Sequence, residues 1–325
     1  MWIVLISLSV GLAVTLVAAA AIGSVRIDWM RAFDFSRIDN PDFTILFRTR
    51  LPRVLLGAAV GGGLAAAGVA LQALLRNSLA SPDVIGVSGG ASVGAIAVLA
   101  LGADRWITLP GAAFLGSLAA IALIVRLSTV HGRLHPYSLL LVGVIVNTIA
   151  AALVMLVSSL VESAQAQGAL FWLSGSLSQR DVALVFAVLG IVLAATGLLW
   201  TQGRSLNLLA LGEETAAQLG ADVSAVRWKT FLASALLVGT AVSVSGIIGF
   251  VGLIVPHGLR LILGSDHRLL VPASFFGGAI FLIWADMIAR VVAAPTEIPV
   301  GVVTALCGGP FFLFLLRQQE QARSM

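Results

Sequence analysis

TFLASALLVGTAVSVSGIIGFVGLIVPHGL, from Thr230 to Leu259, runs for thirty residues without an Asp, Glu, Lys or Arg. A helix crosses a bilayer with about 20 apolar residues, so the run is too long for one ordinary span. Within it Gly246, Gly249 and Gly252 precede Pro256, and glycine and proline weaken or break helices. The stretch therefore reads as one full span, a sharp turn, and a shorter second span.

The rest of the chain follows the same pattern. Further runs free of charge cover 1–25, 54–75, 84–103, 106–125, 134–161, 182–203, 269–285 and 298–316. Of 325 residues, 59% are hydrophobic and only 10% charged, and the mean hydropathy is +1.05. A soluble domain of this size needs more charge to cover its surface, so lipid is the expected solvent. The chain reads as a single domain over 1–325, an all-α polytopic membrane protein of about ten transmembrane helices with both ends on one side. The first run resembles a secretory leader, with Ala18–Ala20 like a cleavage site, but nothing basic precedes it. Retention as a first span is expected.

The net charge of +4 comes from dispersed arginines and a single lysine, Lys229, which does not make a nucleic-acid surface. Cys307, alone in an apolar stretch, excludes an intramolecular disulfide and is expected to be an inert buried thiol. An amino terminus in the cytoplasm would divide the basic residues almost evenly between the two faces, so charge does not set the orientation.

Three connections are longer than the rest. Segment 24–53 carries Asp28, Asp34, Asp39 and Asp42 and ends in Arg48-Thr49-Arg50-Leu51-Pro52-Arg53. Segment 162–181, with Phe171 and Trp172, predicts a short interfacial helix. Segment 204–225 is too polar to span. Gly212 and Gly220 bracket a helix-forming stretch in it, with Glu213 and Glu214 where acids complement the helix dipole. Two short helices parted at Gly212 are expected.

Several of these stretches, in order from about residue 45 to the carboxyl end, resemble the iron-chelate and cobalamin permease family of FecCD type. They are Arg50-Leu51-Pro52-Arg53 before a Gly/Ala-rich helix, and Leu71 to Pro82 leading into Ile85-Gly86-Val87-Ser88-Gly89-Gly90-Ala91. Gly249 to His257 and Glu297-Ile298-Pro299-Val300-Gly301 complete the set. Ser78 stands where many members carry proline. The resemblance implies a type II ABC importer permease in the bacterial inner membrane, with both termini cytoplasmic. It would be paired with a second copy of itself and served by two ATPase subunits and a periplasmic substrate-binding protein.

By that resemblance 204–225, with Leu209, Leu211, Gly212, Glu213, Glu214 and Gly220, fits a groove on the ATPase. Resting on the membrane as an amphipathic helix is the plain alternative. Arg50, Arg53 and Arg290 match outer positions that meet glutamates of the binding protein. Guanidinium forks suit carboxylates, while anchoring helix ends at headgroups is the simpler role. Asp286 lies four residues before Arg290 and could neutralise it. Asn77, Leu79, Pro136 and Tyr137 match cytoplasmic constrictions of the path, although Tyr137, the only tyrosine, also suits an interfacial anchor.

No Walker A motif exists, since Lys229 follows Trp228. The chain is therefore expected to be no enzyme and to hold no cofactor of its own, ATP and Mg²⁺ belonging to the partner ATPase. His131, His135, His257 and His267 form no ligand cluster with acids or thiols, and no metal site is expected. A path for bare ions would offer polar ligands along the spans, so the cargo reads as large and caged, and the resemblance implies a ferric siderophore or haem, or alternatively cobalamin. An ion-coupled secondary transporter would need intramembrane acids, and Asp286 alone is a poor supply.

Overall fold

A computed structural model of the chain describes residues 1–323 except 24, 26, 35–39, 103–107, 179, 180 and 295. Asp39 thus lies outside the described residues. The helices are α1 (Trp2–Ala21), α2 (Trp29–Ala32), α3 (Pro41–Phe43), α4 (Leu51–Leu74), α5 (Val87–Ala100), α6 (Thr108–Ser128) and α7 (Pro136–Leu160), then α8 (Ser163–Leu173), α9 (Val182–Thr201), α10 (Gly203–Ala210), α11 (Glu213–Gln218), α12 (Val223–Ser245), α13 (Val251–Leu263), α14 (His267–Val291) and α15 (Val300–Arg323). A two-stranded antiparallel hairpin, β1 (Thr129–Val130) and β2 (Arg133–Leu134), joins α6 to α7. Aspartates open several helices: Asp181, Asp222 and Asp266 accept hydrogen bonds from the first free N–H groups of α9, α12 and α14.

Among the described residues seven helices are long and apolar enough to cross a membrane. Three of the apolar runs make shorter helices, namely α5, α13 and the Val300–Leu313 part of α15. The fourteen residues of α5 reach about 21 Å, short of a hydrocarbon core of about 30 Å.

α4 is the axis of the bundle, surrounded by α14, α12, α9, α13 and α1. Almost every residue from Pro52 to Leu74 is buried. Its Gly/Ala sequence is the reason, because backbones can approach where side chains are small. A β-carbon on Gly61 would collide with the carbonyl oxygen of Gly278 in α14, and one on Gly278 with that of Gly61. A second group, α5, α6 and α7, packs together and meets the first through α12.

The thirty-residue run breaks where its glycines stand. α12 ends at Gly246, φ 68°, and α13 starts after Phe250, which also takes φ 68°. Pro256 sits inside α13 and cannot donate to the carbonyl of Gly252 four residues back. Gln72 of α4 approaches that oxygen, its Nε2 at 3.5 Å. Pro272 similarly frees the carbonyl of Arg268 in α14, and the Trp200 indole donates to it at 2.9 Å. Inside a membrane-spanning bundle such freed carbonyls need another partner.

Two expectations are corrected. Cys307 is exposed, not buried, because its face of α15, with Leu306 and Phe311, is left uncovered among the described residues. The tail of segment 24–53 is no polar loop: Pro41–Leu74 is one helical stretch, with a π-helical turn at Thr44–Arg50, and it carries Arg50 and Arg53 into the interior.

Candidate functional site

Polar side chains gather at the two ends of the α4 axis. At the end where α4 begins, Arg50 and Arg53 leave its first turn and Arg290 leaves the last turn of α14. Arg50 donates from Nη1 to the carbonyls of Ala20 and Ala21, both at 2.8 Å, and from Nη2 to that of Val25. These carbonyls lie at and beyond the end of α1, where a helix has free acceptors and a negative dipole end. Arg53 forks onto Asp286, with Nε and Nη2 at 3.0 and 2.8 Å from Oδ1, and reaches Glu297 with Nη1 at 2.8 Å. Arg290 binds the other oxygen of Asp286 at 3.0 Å. Asp286 therefore neutralises Arg290, as its spacing suggested, and is shared with Arg53. All three arginines and Asp286 are buried, whereas the Glu297 side chain is 46% exposed.

At the opposite end, segment 203–218 forms two short helices meeting at Gly212, whose φ of 116° suits only glycine. α10 buries Leu206 and Leu209, while Leu211 is exposed. Asn207 fastens α10 to α14: its Oδ1 accepts from the His267 backbone N–H at 2.8 Å and lies 2.7 Å from His267 Nδ1, and its Nδ2 donates to Asp266 at 2.7 Å. Hydrogen bonds from Arg268 and then from Asn207 hold the Asp266 carboxyl below the usual carboxylate range. In α11, Glu213 pairs with Arg227 of α12, Glu214 is exposed, and Gly220 ends the segment at φ 83°.

Asn77 and Leu79 lie in the turn after α4. Asn77 Oδ1 accepts from the Leu79 N–H at 2.9 Å, and both residues are exposed. Pro136 occupies the first turn of α7 after the hairpin, and Tyr137 is 77% exposed beside it. No hydrogen bond joins the two pairs among the described residues. They approach the same end of the molecule on separate connections.

Sequence reasoning missed three polar residues. Asn147, in the middle of α7, donates to the Asp83 carbonyl at 2.7 Å and accepts from Gly89 N–H at 3.1 Å, which ties α7 to the start of α5. Asp83, in the 3₁₀ turn Pro82–Ile85, accepts from the Ser81 hydroxyl at 3.1 Å. Burial pushes its carboxyl up to about 6 against that hydrogen bond. Arg227 is the third, and its Nη1 also donates to the Leu134 carbonyl at 3.1 Å. A polar residue inside an apolar run was the available signal for Asn147. Among the described residues no group of three or more His, Cys, Asp or Glu is placed to hold a metal ion.

Comparison with known proteins gives one consistent result. The model of the FecCD transport family matches residues 11–318. An uncharacterised ABC transporter permease protein of Bacillus subtilis, YvrB, is 41% identical, with 97% of this chain and 93% of that protein aligned. The hemin transport system permease HmuU of Yersinia pestis is 39% identical over 96% of this chain and 95% of its own. The cobalamin import permease BtuC of Halobacterium salinarum is 43% identical over 83% and 73%. Among solved structures, an inward-facing conformation of a metal-chelate type ABC transporter superposes with a TM-score of 0.85 at 30% identity, over 97% of this chain and 98% of that one.

Proposed function

Because the chain belongs to the FecCD transport family, we propose that it is the permease subunit of an importer that moves a large iron chelate, a ferric siderophore or haem, across the bacterial inner membrane. The family's members are permeases, and ATP is hydrolysed by a separate partner. The observation that carries the reading is the ordered insert α10–α11, parted at Gly212 and fastened by Asn207 and Glu213 to two long helices. A chain without a phosphate-binding loop needs such a handle for an external motor.

In this reading the working unit is two copies of the chain, two ATPase subunits and a periplasmic binding protein. About ten helices cross the membrane, the shorter α5, α13 and α15 included, and the end bearing α10–α11 and both termini is cytoplasmic. Leu209, Leu211, Gly212, Glu213, Glu214 and Gly220 form the surface that meets the ATPase. Asn77, Leu79, Pro136 and Tyr137 narrow the path on the same side. Arg50, Arg53 and Arg290 are the docking arginines beneath the opposite surface, where the half-exposed Glu297 is the carboxylate that a partner's glutamate would displace from Arg53. Iron-chelate cargo is supported by the hemin permease among the relatives, and the cobalamin permease makes cobalamin the alternative.

The test is uptake into proteoliposomes holding permease, ATPase and binding protein, offered haemin, a ferric siderophore or cobalamin in turn. Uptake of an iron chelate supports the reading, and uptake of cobalamin alone overturns the cargo. Gly212→Pro, which cannot adopt φ 116°, should insert normally yet hydrolyse ATP without transport. Normal transport by that variant would remove the coupling role of the segment.

A further inference from the structure

We infer that Arg227 is a positioning residue that ties the movement of α11 to the β1–β2 hairpin at the head of α7, an inference that rests on reading α10–α11 as the coupling segment. Arg227 lies in the second turn of α12 with only 7% of its surface exposed. Its guanidinium has two engagements that point to different elements. Nη2 pairs with the carboxylate of Glu213, the first residue of α11. Nη1 donates at 3.1 Å to the carbonyl of Leu134, the last residue of β2 and two positions before Pro136.

The α11 end of this connection has little else to hold it. Among the described residues, Glu213–Arg227 is the only side-chain hydrogen bond or ion pair that leaves α11. The hairpin is short and stiff: Thr129 pairs with Leu134, Val130 with Arg133, and His131 and Gly132 take φ 51° and 75° at the tip. Leu134 beside Arg227 is only 1% exposed, while Val130, next to the tip, is exposed. A planar fork holds two acceptors in one geometry, which a flexible ammonium does not. Displacing Glu213 must therefore move or break the bond to Leu134.

Glu213 is also accessible to a partner. With Glu214, Asp222, Arg133 and Arg227 it lines an open cleft of about 400 Å³ between α11, the start of α12 and the hairpin. A subunit pressing on α11 meets this cleft first. Because the hairpin leads directly into Pro136 and Tyr137, the connection ends on the residues proposed to narrow the path.

The experiment uses the full complex with its ATPase in nanodiscs, in a Cys307→Ala background. One set carries Val130→Cys, and the labelling rate by a membrane-impermeant maleimide is compared without nucleotide and with a non-hydrolysable ATP analogue. A second set carries Ala217→Cys, exposed on α11, for cross-linking to the ATPase. The expected result is a severalfold nucleotide-dependent change at position 130 that Arg227→Gln abolishes and Arg227→Lys largely abolishes, with cross-linking at 217 retained. Glu213→Gln, at the more exposed end of the pair, should also abolish it, and covers the case in which Arg227→Gln fails to fold. The swap Glu213→Arg with Arg227→Glu restores the ion pair but places no donor at Leu134, so it should keep cross-linking at 217 without recovering the response. A response that survives Arg227→Gln or Glu213→Gln, or that the swap recovers, overturns the inference. In the parent, cross-linking at 217 without any response at 130 overturns it alone, whereas absence of cross-linking there overturns the coupling segment itself.

Discussion

Asp286, buried itself, holds two guanidiniums, and its loss would leave Arg53 and Arg290 facing each other. Removing one partner of a buried ion group costs about 3–5 kcal/mol, because the remaining charge is uncompensated. Asp286→Asn is expected to lower the stability of the detergent-purified protein by that order, read from its unfolding midpoint. The triple variant Arg53→Met, Asp286→Leu, Arg290→Met should recover most of the loss, since apolar replacements of a buried ion group are often neutral. Glu297→Gln, half-exposed, should cost under about 1 kcal/mol. Asp83 gives a pH signature. An acid whose folded value is raised, here from 3.8 to about 6, binds its proton more tightly folded than unfolded. Its contribution to stability is complete below pH 3.8 and is lost as pH rises through about 6. The melting temperature of the wild type should therefore fall more across that window than that of Asp83→Asn, and parallel curves would refute the assignment.

Helices α4 and α14 depend on glycine for their contact. Gly61→Ala should overpack it against the Gly278 backbone and cost about 1–3 kcal/mol. Gly190→Ala in α9, with open space around it, should change little, and thermal scans of the two variants in one detergent make the comparison. At this scale the sequence was informative wherever backbone chemistry decides. Gly246, Gly249 and Pro256 announced the break between α12 and α13, and Gly212 announced the joint between α10 and α11. The hairpin at 129–134 was missed because His131-Gly132 is a less familiar tip than Asn-Gly, although the glycine in its second position was visible. The outward face of Cys307 was not legible for a different reason. Lipid and helix interior are both apolar, so an apolar helix carries little sign of which side it buries. The partners of Arg227, Asn147 and Arg53 were hidden because contacts such as Arg53–Asp286 join distant parts of the chain. Of the contacts at the candidate site, the Asp286–Arg290 pair was legible in the sequence through its spacing, whereas Arg50, Arg53 and Glu213 stood out only as charged residues whose partners were not.

For the whole molecule the open quantity is how many helices cross the membrane. If α12 and α13 cross separately, Ser265 between α13 and α14 must share a side with Ala217 and oppose Ser178. Single cysteines at these exposed positions, in a Cys307→Ala background, should label from the cytoplasmic side at 217 and 265 and from the periplasmic side at 178. Labelling of 265 from outside would mean that α13 enters and leaves on one face.

The axial position of α4 also has a consequence in time. Its glycine ridge is synthesised early, yet the strip that covers Gly61 belongs to Gly278, some two hundred residues further along the chain. At bacterial rates of synthesis the interval is roughly ten to forty seconds. During that time the ridge faces lipid or whichever helix has already been made. The nascent chain must therefore keep its eventual centre uncovered while its periphery is laid down, and α14 then has to slide into a place that its neighbours have left vacant. The last third of the chain governs whether the first third is ever buried, so truncations late in the sequence should be cleared by membrane proteases as whole-chain failures rather than persist as shortened bundles.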